Sequence, residues 1–197
     1  MKRGTLAFLV VAGVIALFVL LFGGTYNGLV KSEEQVSEAL AQVENAYQRR
    51  LDLIPNLVET VKGYAAHERE TLTAVIDARS KISKMSVSPD VIKNPQSLAQ
   101  FEEAQQGLSS ALSRLLVLVE QYPDLKANQN FLALQSQLEG TENRIAVERH
   151  RFNEAARGFN TKVRVFPNNL VARIAGFQKK AYFAADQTAR VAPTVKF

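Results

Sequence analysis

The sequence predicts an all-α protein in which an N-terminal transmembrane helix is followed by an antiparallel bundle of long helices. Three observations carry this expectation. Residues 4–30 contain no charged side chain. Apolar residues beyond them recur at steps of three and four, the spacing of one helical face. No segment shows the two-residue alternation of a half-buried strand. At 197 residues, 47% of them hydrophobic, the chain is sized for one domain with one core.

The first element is the apolar run Thr5–Phe22, 18 residues long. At about 1.5 Å per residue, 18 to 21 helical residues cover roughly 27–32 Å, the thickness of a bilayer core. A cleaved signal peptide would need a shorter apolar stretch and an Ala-x-Ala flank, whereas the flank here is Phe22-Gly-Gly-Thr-Tyr26. A retained anchor over residues 1–25 is therefore expected. Lys2 and Arg3 precede it, and Glu33, Glu34, Glu38 and Glu44 against Lys31 follow it, so the positive-inside rule places the N-terminus in the cytoplasm and the rest outside. Ala12 and Ala16 form a small-xxx-small pair that could bring two spans together, or reflect only how common Ala is in such helices.

Residues 26–167 read as the bundle. Val36, Leu40, Val43, Tyr47, Leu51 and Ile54 mark one helical face, and Val58, Val61, Ala65, Leu72, Val75 and Ile82 continue it. Because this grid runs through Pro55, one helix over 30–84 is expected, bent at Ile54-Pro55, with Asn56 helping to satisfy the disturbed backbone. Pro89 and Pro95 make 85–97 a loop. Leu98, Phe101, Leu108, Leu112, Leu115 and Val119 predict a second helix over 97–121. After Tyr122-Pro123, Asp124 is expected to cap a third over 125–164, marked by Phe131, Leu134, Leu138, Ile145, Phe152 and Phe159 and closed by Pro167. These three lengths, roughly 80, 38 and 57–60 Å, do not match. The stripe Val36–Ile54 and the Phe152/Phe159 end are left without partners. A sharp fold at Pro55, the basic and aromatic C-terminal segment 168–197, or neighbouring copies could cover them.

Chemistry is sparse. With no Cys, the chain lacks thiolate catalysis, Cys-type zinc sites and disulfides. The two histidines, His67 and His150, are preceded at three residues by Tyr64 and Val147, so neither belongs to the Glu-x-x-His pair of a di-iron bundle. His67-Glu68 reads as an ordinary polar pair. No catalytic residue, metal or cofactor is expected. Three sets of residues remain as candidate interaction sites. Arg49, Arg50, Asp52, Pro55, Asn56 and Glu59 gather charge around the expected bend, as an ion-pair network or a docking face. Asn153 and Asn160, seven residues apart beside Phe152 and Phe159, suit either a helix seam fixed in register, in which Leu replacements would raise stability, or surface positions flanking core Phe. Arg173, Phe177, Lys179, Lys180 and Phe183 mix cations with aromatics in a way that suits an interfacial helix touching anionic lipid, or a segment packed back on the bundle. The net charge of +5 is too mild to require nucleic acid. It is unevenly spread, with 11 Lys and Arg against 16 Asp and Glu over 26–143, and 11 against 3 over 144–197.

Tyr26-Asn27-x-Leu-Val30, the run Arg49-Arg-Leu-Asp-Leu-Ile-Pro-Asn-Leu-Val-Glu-Thr-Val-Lys-Gly-Tyr-Ala65 followed by His67-Glu68, Tyr122-Pro-Asp-Leu-Lys126, Thr141-Glu142, and the Asn153 and Asn160 repeats together resemble the LemA family of bacterial proteins over nearly the whole span from Tyr26 to Phe183. Where relatives often carry Tyr before each of the two Asn, this chain has Phe152 and Phe159. The resemblance implies an N-terminally anchored helical bundle of the bacterial inner membrane, with no established reaction and, for some relatives, a link to forming internal membrane compartments. The function expected is a non-enzymatic scaffold, with its soluble domain on the periplasmic rather than the cytoplasmic side, that self-associates or organises partners at the membrane surface. The alternative is an adaptor for a membrane-associated envelope enzyme such as a protease. Expected partners are the membrane, further copies of the chain and another membrane protein.

Overall fold

The computed structural model describes residues 3–85 and 91–184, with the side chains at positions 3, 5–7, 14, 17 and 18 outside that description. The described residues form α1 (Arg3–Lys62), α2 (Arg69–Ser83), a 3-10 turn (Val91–Lys93), α3 (Pro95–Val119), the single turn α4 (Pro123–Lys126), α5 (Gln129–Arg164) and α6 (Asn168–Ala175), with no strand among them. The all-helical fold is as expected.

Helix α1 has 60 residues, about 90 Å of rod, and crosses the 25/26 boundary without a break. Its stripe from Val36 to Ile54 is buried, as are Val58 and Val61. The helix runs through Pro55, where a bend was expected and a sharp fold was one alternative, and the chain does not turn there. A proline has no N–H for the carbonyl four residues earlier, and that carbonyl, on Leu51, instead accepts from Arg79 Nε at 3.0 Å. Asn56 takes no part in this repair; its side chain is exposed and its carbonyl accepts from Thr60 Oγ1 at 2.7 Å. The reversal comes at 63–68, where the amides of Tyr64 and Ala65 both donate to Val61 O and Ala65 is buried. The expected single rod over 30–84 is thus two antiparallel helices, with Arg79 brought level with Leu51.

Asn94 caps α3 by accepting from Gln96 N at 2.9 Å, ahead of Pro95 at the first helical position. Asn128 caps α5 by accepting from Phe131 N at 3.0 Å. Asp124 was the expected cap, but it lies inside the single turn α4. Asn128 Nδ2 also donates to Tyr64 OH, so α5 starts beside the α1–α2 turn and runs back along α1.

The length mismatch resolves into two halves. At the turn end, α1, α2, α3 and α5 pack as four helices. Nearer the N-terminus only α1 and α5 continue, because α2 and α3 span about 22 and 38 Å against about 54 Å for α5. The uncovered faces are closed from within the chain. Phe177 and Phe183 pack onto Phe159 and Phe152, with ring centroids 6.2 and 5.2 Å apart, and Val171 and Ala172 of α6 bury Leu29 in a small second core. Neither a sharp fold at Pro55 nor a neighbouring copy is needed to cover them.

Among the described residues no helix is long and apolar enough to cross a membrane. Thr5, Leu6, Ala7, Val14, Leu17 and Phe18, which complete the apolar run of the sequence, have side chains outside them, so the expected span falls partly there.

Candidate functional site

The structure brings the candidate residues together in two arrangements, a clasp along α5 and a cleft beside it. The clasp is built by Asn153 and Asn160. Asn160 Nδ2 donates to Lys180 O and Asn160 Oδ1 accepts from Lys180 N, both at 2.8 Å. Asn153 repeats the pair on Phe183, both at 2.9 Å. Seven helical residues rise about 10.5 Å, and an extended chain of three residues covers about the same length. The seven-residue repeat on α5 therefore matches a three-residue repeat on segment 177–184, which runs antiparallel to it. A primary amide presents an N–H donor and a carbonyl acceptor side by side, the complement of a single backbone residue. Asn153 and Asn160 thus hold a chain segment in place, and the helix seam considered for them is not where they act.

A third grip follows one step on. Glu102 Oε1 accepts from Ala184 N at 3.0 Å and Arg149 Nη2 donates to Ala184 O at 2.7 Å, with Arg149 and Glu102 themselves paired at 2.7 Å. Arg149 also lies 5.2 Å over the Phe183 ring. Burial pushes the Glu102 carboxyl up from its ordinary range, opposed by the Arg149 charge and the Ala184 N–H.

The segment's own side chains fix its place. Lys180 is buried, lies 5.2 Å over the Phe159 ring and donates to Glu33 Oε1 of α1. Phe183 is buried as well and Phe177 is half-buried. Of the two readings of this segment, Lys180 and Phe183 follow the one in which it packs back on the bundle, while Arg173 and Lys179 are exposed.

The cleft, about 600 Å³, opens between α1, α3 and α5 at Ala184. At its base stands Arg50, 2% exposed. Its Nη1 donates to Glu142 Oε2 at 2.6 Å and Ser109 Oγ at 3.2 Å, and its Nη2 to Gln105 Oε1 at 2.5 Å and Gln105 O at 3.3 Å. Two buried donors in this layer, Arg50 Nε and Gln105 Nε2, have no acceptor among the described residues, an arrangement that costs stability. Tyr47 completes the wall, edge-on to Phe101 at 5.1 Å and under the Arg50 guanidinium at 5.8 Å; burial pushes its phenol up.

The six residues expected to gather at the bend do not form one network. Arg50 alone turns inward. Arg49 is exposed and lines a separate groove with Gln42, Gln137 and Arg144, Asp52 meets only Gln48 at 2.7 Å, and Glu59 makes an exposed contact with Lys62 at 3.4 Å, a geometry worth little. His67 is exposed, and His150 is exposed beside Glu154. Glu68 serves structure, accepting from Tyr122 OH at 2.8 Å, a bond that raises the Tyr122 phenol. Gln105 and the buried carboxylate Glu148, held by Arg144 at 2.7 Å and Arg151 at 3.0 Å, were missed in the sequence. The signal was their phase: Gln105 stands four after Phe101, and Glu148 four before Phe152, both inside apolar stripes.

Comparison with known proteins finds relatives over most of the chain. Protein LemA of Metamycoplasma hominis is 28% identical over 180 residues, covering 90% of this chain and 77% of that relative. The Magnetosome protein MamQ of Magnetospirillum gryphiswaldense is 26% identical, covering 93% of this chain and 74% of its own length. The Magnetosome protein MamQ 2 of Paramagnetospirillum magneticum is 27% identical, with 92% and 73% covered. The LemA family model matches residues 39–197, a span that takes in the buried Arg50, the α1–α2 turn and both Asn grips, and on that match the chain belongs to the LemA family.

Proposed function

We propose that this protein is a non-catalytic scaffold, anchored by residues 4–22 in the bacterial inner membrane with its bundle on the extracytoplasmic side, that organises partners at the bilayer surface. The observation that carries the reading is the N-terminal third of α1, whose described side chains are bare. Phe8, Leu9, Val10 and Val11 are each 56–72% exposed, and four consecutive residues at 100° per step go round the whole helix. A helix apolar on every side belongs in a core or in hydrocarbon, and the bundle offers it no core. None of the relatives' names gives a reaction. Since the stripes of α1 and α5 are covered within one chain, self-association has to use other surfaces, such as the Ala12/Ala16 face of the anchor.

Alkaline carbonate extraction of membranes tests the anchor: the full chain stays with the pellet and a chain begun at Tyr26 is released. Release of both ends the proposal. Light scattering of the detergent-solubilised protein then reads assembly, a defined oligomer supporting the scaffold.

The cleft at Arg50 favours a second reading, an adaptor for a membrane-associated enzyme, since two unpaired buried donors lie at the base of an open cleft of about 600 Å³ that a partner's side chain could enter. A monomer by light scattering, together with a membrane enzyme that copurifies and is lost on filling the mouth with Ser109→Trp, is what the adaptor requires.

A further inference from the structure

We infer that α6 and the residue pair leading into it form an interfacial foot that lies on the bilayer, inserting Phe166, Leu170 and Ile174 among the headgroups of anionic lipid. The inference rests on the anchor reading of the preceding section for its orientation, and on α6 itself for its chemistry. Leu170 and Ile174 stand one turn apart on α6 and are 55 and 73% exposed, and Phe166, in the turn just before the helix, is 79% exposed. The opposite side of the same short helix, Val171 and Ala172, is buried on Leu29, with Phe22 packed against that cluster. One face of this short helix is docked, and its outward side carries bare Leu170 and Ile174 beside the exposed Asn169 and Arg173, where an ordinary surface helix would be polar throughout.

The position of α6 says what covers the bare face. Its docking residues on α1, Phe22 to Leu29, begin where the apolar run ends and rise only about 10.5 Å beyond it. The headgroup layer on each side of a bilayer is about 5–8 Å thick, and interfacial helices sink their apolar side about 5–10 Å into that boundary. With residues 4–22 in hydrocarbon, α6 is held at headgroup level by its packing on α1. Gly176, at φ +79°, ends the helix in the left-handed conformation that glycine tolerates, with Phe177 N returning to Ala172 O at 2.9 Å, and sends the chain up into the clasp and away from the membrane.

Charge selects the kind of lipid. From 155 to 185 the sequence holds six Lys and Arg and no Asp or Glu. Of these, Arg164, Arg173 and Lys179 are exposed around the foot, and cations held close to an anionic surface are attracted to it. A second copy of the chain fits less well. Three large side chains offer roughly 400–500 Å², about half of the area per partner of a standard stable interface.

The absence of Cys makes the test clean. Single variants Ile174→Cys, Leu170→Cys, Val11→Cys and, at the far end of α3, Val117→Cys are labelled in the full chain with an environment-sensitive fluorophore. The protein is reconstituted in phosphatidylcholine–phosphatidylglycerol vesicles carrying doxyl-labelled lipid. The foot requires severalfold stronger quenching at positions 174 and 170 than at 117, greatest with shallow doxyl groups, and reduced by Arg173→Gln with Lys179→Gln or by omitting phosphatidylglycerol. Quenching at 11 but water exposure at 174 overturns the foot and leaves the anchor standing; quenching at 174 without quenching at 11 overturns the anchor alone. Position 174 shielded from both water and doxyl lipid, with disulfide cross-linking between copies of unlabelled Ile174→Cys, replaces the lipid by a second chain and overturns the inference.

Discussion

Arg79 and Pro55 are distant in sequence and linked through one oxygen. Because Arg79 Nε donates to the Leu51 carbonyl that Pro55 cannot serve, the worth of the arginine depends on the proline. Arg79→Met is expected to destabilise the wild-type chain by about 1.5–3 kcal/mol, the range for a hydrogen bond from a charged donor. In a Pro55→Ala background the restored amide bonds Leu51 O, and the same substitution should cost about 1 kcal/mol less. Chemical denaturation of the four chains closes this cycle; additive effects would mean that the contact is incidental. Arg50 poses the other residue-scale problem. Arg50 is the buried member of its pair with the largely exposed Glu142, and its removal strands the buried Gln105 side chain. Arg50→Met alone should cost about 1–3 kcal/mol, the range for a buried polar group left unpaired, and Arg50→Met with Gln105→Leu should recover most of it. An equally unstable double variant would count against the layer. Of these two features, Arg50 was legible in outline, standing three after Tyr47 and four before Ile54 in an apolar stripe, whereas the Arg79 contact was not, since nothing local ties residue 79 to residue 51.

The elements were read from periodicity, and their errors have one cause. A stripe continues across any break that preserves its phase, so the grid from Val36 to Ile82 ran through both Pro55 and the real reversal at Gly63–Glu68. Proline was given the weight that belonged to the turn, because the rescue of its missing hydrogen bond comes from another helix. The Asn153/Asn160 repeat was visible too, but its partner was not: a helical seven matches a helical seven in a coiled coil and an extended three in a clasp, and only the fold distinguishes them. The two assignments differ in sign. In a seam, Asn→Leu raises stability; in the clasp, Asn160→Leu strands the amide and carbonyl of Lys180, at about 1–3 kcal/mol for each buried group left unpaired. A lowered melting temperature, with faster amide exchange at Lys180 and Phe183, is expected for Asn160→Leu. Asn153→Leu should show the same in weaker form, since Asn153 is half-buried. A rise in melting temperature would restore the seam.

At the scale of the whole molecule, the chain is divided by what completes its core. The turn end closes with four helices. The end nearer the N-terminus has two long helices with the short α6 on Leu29, and depends on segment 177–184 to cover Phe152 and Phe159, so its stability is borrowed from a strip of chain held by the Asn153 and Asn160 amides, the Arg149–Glu102 grip on Ala184, the Lys180–Glu33 ion pair and the rings of Phe177 and Phe183. Removing residues 177–197 should therefore not weaken the molecule evenly. Fully exposing a Phe forfeits about 1.5–3 kcal/mol, and the loss falls wholly on residues 29–46 of α1 and 150–164 of α5. Hydrogen exchange of the truncated chain is expected to quicken severalfold in those two stretches, while Leu57, Val61, Leu108 and Leu115, enclosed by four helices, keep their protection. The combined variant Asn153→Leu with Asn160→Leu should reproduce the pattern with the segment still present, which separates loss of the clasp from loss of the residues beyond it. Even quickening along all of α1 and α5, with the turn end no better protected, would mean that the bundle opens as one cooperative unit and that the division by closure is only geometric.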